Sequence, residues 1–88
     1  MDNNEIIEKG IKLLIESVKR IEEISLDSDM SSFEKESQLE AKNARFTGIA
    51  DMLNLLTGKE YHWSTSDKYY YNLIVVEGSG EGKILFTV

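Results

Sequence analysis

Leu26-Asp27-Ser28-Asp29-Met30-Ser31-Ser32-Phe33-Glu34 is where the chain turns back on itself. Ser31 and Glu34 have the spacing of a capping box, in which a serine hydroxyl accepts from the amide three residues on, so a helix begins near Ser32. Before the turn, Ile7, Ile11, Leu14, Val18 and Ile21 recur at spacings of four, three, four and three, which predicts a helix over residues 5–25. After it, the helical pattern runs to Thr57, where Gly58 is placed to act as a left-handed cap. Residues 26–31 are then a short connection, and two long helices so joined form an antiparallel αα-hairpin.

The faces of the two helices indicate what each must touch. Ile6, Leu13 and Ile24 widen the stripe of the first helix on one side and Ile15 on the other, so that about half its circumference is apolar, more than one neighbouring helix can cover. The first helix should therefore meet both the second helix and something else, a sheet or another subunit. The second helix carries a strong apolar face of Leu39, Phe46, Ile49, Leu53 and Leu56, and beside it a stripe of small residues, Ser37, Ala41, Ala44 and Gly48. If antiparallel positions whose numbers sum to about 58 face one another, Gly10 meets Gly48, Leu14 meets Ala44, Ser17 meets Ala41 and Ile21 meets Ser37. That register would explain two glycines that each cost about 1 kcal/mol in a helix interior.

After Gly58 the composition changes. Tyr61 and Trp63, then Tyr69 to Val76, then Lys83 to Val88 are rich in aromatic and β-branched residues. They are separated by Thr65-Ser66-Asp67-Lys68 and by Glu77-Gly78-Ser79-Gly80-Glu81-Gly82. A three-stranded antiparallel meander follows, and the order ααβββ makes residues 1–88 a single α+β domain whose sheet rests by one face on the helix pair. A helix of ~24 residues is about 36 Å long, against ~20 to 26 Å for strands of this size, so the sheet cannot cover the whole hairpin. It should lie over the Gly48 end and leave the turn projecting.

That turn holds the charge. From Glu22 to Glu40 there are seven acids (Glu22, Glu23, Asp27, Asp29, Glu34, Glu36, Glu40) and one base, Lys35, so this stretch alone carries the formal net charge of −6 of the 88-residue chain. A local patch of one sign is a recognition surface for the other sign, and it opposes binding to nucleic acid or to anionic lipid. There is no cysteine, hence no disulfide scaffold, thiol chemistry or cysteine-based zinc site. No apolar run approaches the ~20 residues that cross a bilayer, and the chain opens without a basic, apolar leader. A cytoplasmic protein is expected, small enough that oligomerisation would help its core.

Motifs for chemistry dissolve on inspection. Asp27-Ser-Asp29-Met-Ser31 opens like a calcium loop, but Ser32 stands where the loop's glycine must turn and Gln38 where a bidentate glutamate is needed. Helix capping and the positive end of a helix dipole account for Asp29, Glu34 and Glu36, leaving Glu22, Glu23 and Asp27 as charges without a local reason. Gly78-Ser-Gly80-Glu-Gly82-Lys83 lacks the spacing of a Walker loop and is followed by a strand, which makes it a hairpin turn. His62, the only histidine, has no acid at catalytic or ligand spacing, and Ser64, Thr65 and Ser66 have no activating base. No enzyme, metal or cofactor is expected.

Two groups remain as candidate binding residues besides the acids. Trp63 and Tyr70 are of the types favoured at protein interfaces. Successive tyrosines alternate between sheet faces, so Tyr70 opposes Tyr69 and Tyr71. Lys42 and Arg45 lie on the partly apolar side of the second helix and, with Tyr69 and Tyr71, could bind an anion in an oligomer; pairing of Arg45 with Glu16 is the simpler role.

The segment Ala44-Arg45-Phe46-Thr47-Gly48-Ile49-Ala50-Asp51-Met52-Leu53-Asn54-Leu55-Leu56-Thr57-Gly58-Lys59-Glu60-Tyr61 resembles the helix that closes many small accessory proteins of bacteriophages and mobile elements, ending in a Thr-Gly-Lys/Glu turn. The resemblance covers about a fifth of the chain; it implies no fold and no functional residues, but it favours a host-directed or anti-defence role. The expectation is a non-enzymatic, phage-encoded inhibitor that occupies a basic surface on a bacterial host or defence protein through Glu22, Glu23, Asp27 and Asp29. The alternatives are an oligomeric sponge for a signalling nucleotide, built on Lys42, Arg45 and the tyrosines, and an immunity or antitoxin protein.

Overall fold

In the computed structural model, which describes residues 2–65, 71–78 and 80–88, the α+β arrangement is realised as an αα-hairpin followed by an antiparallel meander. Helix α1 spans Asn3–Leu26 and α2 spans Ser32–Thr57. The Asp2 carboxylate caps α1 by accepting from the Glu5 amide at 2.8 Å, and the Ser31 hydroxyl caps α2 by accepting from the Glu34 amide at 3.2 Å. Gly58, at φ 73°, takes the left-handed conformation that ends α2 and donates its amide to Asn54. The Thr57 hydroxyl, bound to the Leu53 carbonyl, then receives the Lys59 amide and steers the chain into the sheet.

The sheet has strand order β1 (Lys59–Thr65), β2 (Tyr71–Glu77), β3 (Lys83–Thr87), each pair antiparallel. The strand expected over Tyr69–Val76 is β2; its first two expected residues, Tyr69 and Tyr70, lie outside the described residues. β1 runs back along α2, and β2 lies over α1. α1 thus meets two neighbours, a helix and a sheet, as its wide apolar arc requires. The shared core is Leu14 and Val18 of α1, Phe46, Ala50 and Leu53 of α2, and Tyr61, Leu73 and Val75 of the sheet. Burying each of the larger aliphatic or aromatic side chains contributes roughly 1.5–3 kcal/mol, which makes this cluster the main source of stability.

The seam between the helices differs from the expected register. Gly10 faces Leu53, not Gly48: a Cβ at residue 10 would lie 2.7 Å from Leu53 Cδ2, 3.1 Å from Cγ and 3.2 Å from Cδ1. Facing positions therefore sum to about 63. The small stripe of α2 is turned outward, with Ser37, Ala41, Ala44 and Gly48 all exposed and nothing within 4 Å of a Cβ built at Gly48. The physical reason is area. Phe46 and Leu53 bring far more apolar surface to the seam than alanines and glycines do, and burial scales with area. The close approach of the backbones is provided on one side only, by Gly10.

The molecule measures 42 × 27 × 17 Å. Along α2 the sheet reaches further than the Gly48 level: Trp63 donates its indole N–H to Asn43 Oδ1 at 3.0 Å, and Thr65 shares a cleft with Leu39, Glu40 and Ser25. What projects is the tip, residues 26–37, roughly 10 Å of helical rise beyond Leu39.

Candidate functional site

The tip is built by the caps that reverse the chain. Asp27 ends α1, donating its amide to the Ile24 carbonyl at 3.3 Å, while its carboxylate accepts the Asp29 amide at 2.9 Å. Asp27, one of three acids without an evident local role in the sequence, is thus an Asx turn within the connection. Around this turn two large apolar side chains are left in solvent, Leu26 at 60 % exposure and Phe33 at 78 %. Asp29, Glu34 and Glu36 stand exposed beside them. An apolar knuckle set among acids is the outcome.

The four acids proposed from sequence as a partner-binding group do not share one setting. Asp29 is exposed at the tip, and Asp27 is half-buried in the turn. Glu23 is exposed but forms an ion pair with Arg20 at 3.1 Å, one helical turn back. Such exposed pairs contribute ~0–1 kcal/mol, so Glu23 stays available to a stronger partner. Glu22, the residue before it, is half-buried. Leu26 and Phe33 were not recognised as site residues in the sequence; the signal was the break in helical periodicity at the turn, which leaves apolar residues there without a face to join.

The aromatic residues occupy a second location. Trp63 and Tyr71 lie on the sheet face that meets the helices, their rings stacked with centroids 6.2 Å apart and planes inclined by 19°. Together with Ser25, Leu39, Glu40, Asn43 and Thr65 they border an open cleft of about 400 Å³ just inboard of the tip. Trp63 is half-buried and fixed by Asn43, which makes it a wall of this cleft rather than a projecting anchor. Tyr70 and Tyr69 lie outside the described residues.

Lys42 and Arg45 face neither the tip nor the aromatic pair. They line a cleft of about 180 Å³ between the two helices, with Leu13, Glu16, Ser17 and Arg20. Arg45 and Glu16 border the same cleft without forming an ion pair. Tyr71, on the sheet face, does not line it, so within one chain the cations and this tyrosine are at separate places.

On the outer sheet face, the His62 ring lies 3.5 Å from the Glu60 carboxylate, both exposed. Among the described residues there is no group of three or more metal-ligating side chains and no helix long and apolar enough to cross a membrane. Comparison with known proteins finds no matching family model, curated protein or solved structure. The functional reading therefore rests on the geometry.

Proposed function

We propose that the chain is a non-enzymatic binding protein, a phage-encoded inhibitor that occupies a basic surface on a bacterial host or defence protein and blocks it sterically. The observation that carries this reading is the tip. Phe33 and Leu26 are exposed beyond the sheet, with Asp29, Glu34 and Glu36 beside them; other apolar side chains, Leu55 and Ile84 among them, are exposed too, but not on this projecting acidic turn. An apolar anchor within a charged surround is how protein interfaces combine affinity with steering: the aromatic fills a pocket, and the acids raise the encounter rate with a cationic partner. The phage origin and the defence-related target rest on the resemblance of residues 44–61 to phage accessory proteins.

The test is the salt dependence of capture from a bacterial lysate. A partner held by the acidic tip is released steeply as ionic strength rises past the point where the Debye length falls below about 8 Å. A partner retained equally at low and high salt contradicts the proposal.

A further inference from the structure

The interhelical cleft lined by Arg20, Lys42 and Arg45 gathers three cations of this acidic chain. It is formed by two short-range patterns. Leu13, Glu16, Ser17 and Arg20 recur on one side of α1, and Lys42 and Arg45, three residues apart, share a side of α2. The floor is Ser17, a polar side chain only 5 % exposed in the middle of the helix seam.

Its hydroxyl makes no hydrogen bond to any described residue, although Thr57, elsewhere in the hairpin, does bond back to its own helix. No fully buried side-chain polar atom is left unpartnered among the described residues, so the Ser17 hydroxyl is reached from the cleft. Lys42 and Arg45 likewise form no ion pair among the described residues, and Arg20 gives only one guanidinium nitrogen to Glu23. Three cations thus border a nearly buried residue whose hydroxyl has no hydrogen-bond partner among the described residues, with Glu16 on the same rim. The cations on this lining outnumber the carboxylates beside them, Glu16 in the cleft and Glu23 on Arg20, so an anion placed here meets net positive charge.

We infer that the cleft is a binding site for a phosphate group, as inorganic phosphate or as the phosphate of a nucleotide. Guanidinium groups hold phosphate oxygens through paired N–H donors, the lysine adds a point charge, and a serine hydroxyl donates to a remaining oxygen. A volume of about 180 Å³ suits one such group, and half-exposed Leu13 at the edge offers apolar contact to whatever the phosphate carries. The site lies within one chain, uses no tyrosine, and is independent of the acidic tip.

Amide-detected NMR titration of the full chain tests it, with inorganic phosphate, adenosine monophosphate and adenosine as probes at constant ionic strength held with chloride. Saturable shifts centred on Ser17, Arg20, Lys42 and Arg45 are expected with both phosphates and not with adenosine. Tighter binding of the nucleotide assigns the site to nucleotides, whereas equal binding assigns it to the free anion. The K42Q/R45Q double variant should weaken binding at least tenfold, S17A should weaken it several-fold, and E16Q should strengthen it. E36Q, which removes an equal charge at the tip, should leave it unchanged. Shifts spread over all charged residues, or an affinity unaltered in K42Q/R45Q, overturn the inference, and so does equal tightening by E16Q and E36Q.

Discussion

Replacing each of the two helix-interior glycines by alanine should have opposite effects, and the pair of results reads out the helix seam. Alanine is favoured over glycine in a helix by about 1 kcal/mol, because glycine loses more backbone entropy on folding. At Gly48 nothing else changes, since a Cβ there meets no atom within 4 Å. Gly48→Ala should therefore stabilise the domain by about 1 kcal/mol, a rise in Tm of ~4–8 °C for a chain of this size. At Gly10 the same gain is opposed by three atoms of Leu53 at 2.7, 3.1 and 3.2 Å from the new methyl. Leu53 is wholly buried, and because its branch carbon is among the three, rotation of one methyl does not clear the clash.

Overpacking of this kind costs ~1–3 kcal/mol. The upper part of that range applies, so Gly10→Ala should lose a net ~1–2 kcal/mol. The two sites have no common neighbour, so their effects should add and the double variant should return close to the parent stability. Urea and thermal unfolding followed by circular dichroism measure all three. If Gly10→Ala is as stable as the parent, Gly10 does not pack on Leu53; if Gly48→Ala is destabilised alongside Gly10→Ala, the register in which Gly10 meets Gly48 is restored.

Two further substitutions probe the elements that position the candidate site. Ser31→Ala removes the cap that starts α2 at the tip and should cost ~1 kcal/mol in urea unfolding, whereas Ser32→Ala, one residue into the helix, should cost a few tenths at most. Asn43→Ala removes the acceptor of the Trp63 indole N–H; with the indole half-exposed and able to turn to water, the loss should be ~0.5–1.5 kcal/mol. Trp63 is the only tryptophan, so the same change should shift its fluorescence toward that of a more hydrated indole. An unshifted spectrum with unchanged stability would show that Asn43 does not hold Trp63.

The parts of the fold set by local rules were legible in the sequence. The Ser31 cap, the Gly58 terminator and the 3.6-residue periodicity of the first helix each depend on residues a few positions apart, and each leaves a local pattern. The helix seam was not legible in the same way, because α2 carries apolar residues on opposite sides. Phe46 and Leu53 face the core while Phe33 and Leu55 are exposed at 78 % and 87 %, so hydropathy alone does not orient the helix. The choice between a small-residue seam and a large-residue one is tertiary: it depends on the sheet, which takes the Ala50 side of α2 and leaves α1 the Leu53 side.

The candidate site shows the same division. Asp27 and Asp29 were visible as acids in a turn, but the projection of Leu26 and Phe33 depends on how far the sheet extends along α2. Likewise Lys42 and Arg45 were visible as cations on a partly apolar side, yet their convergence with Arg20 and Ser17 follows from the crossing of two helices. Residues adjacent in space but 20 or more positions apart in the chain leave no spacing to read.

Whether the hairpin tip is the binding surface is decided by the affinity of the captured partner for three forms of the protein across ionic strength. The forms are the parent chain, Phe33→Ala, and a variant with Asp29, Glu34 and Glu36 converted to their amides. Phe33→Ala should weaken binding by roughly 2 kcal/mol or more, as expected for an anchoring aromatic, while keeping the salt dependence. The amide variant should bind more slowly and lose most of that dependence. A partner that binds all three forms equally, with an affinity flat from low to high salt, contradicts the claim.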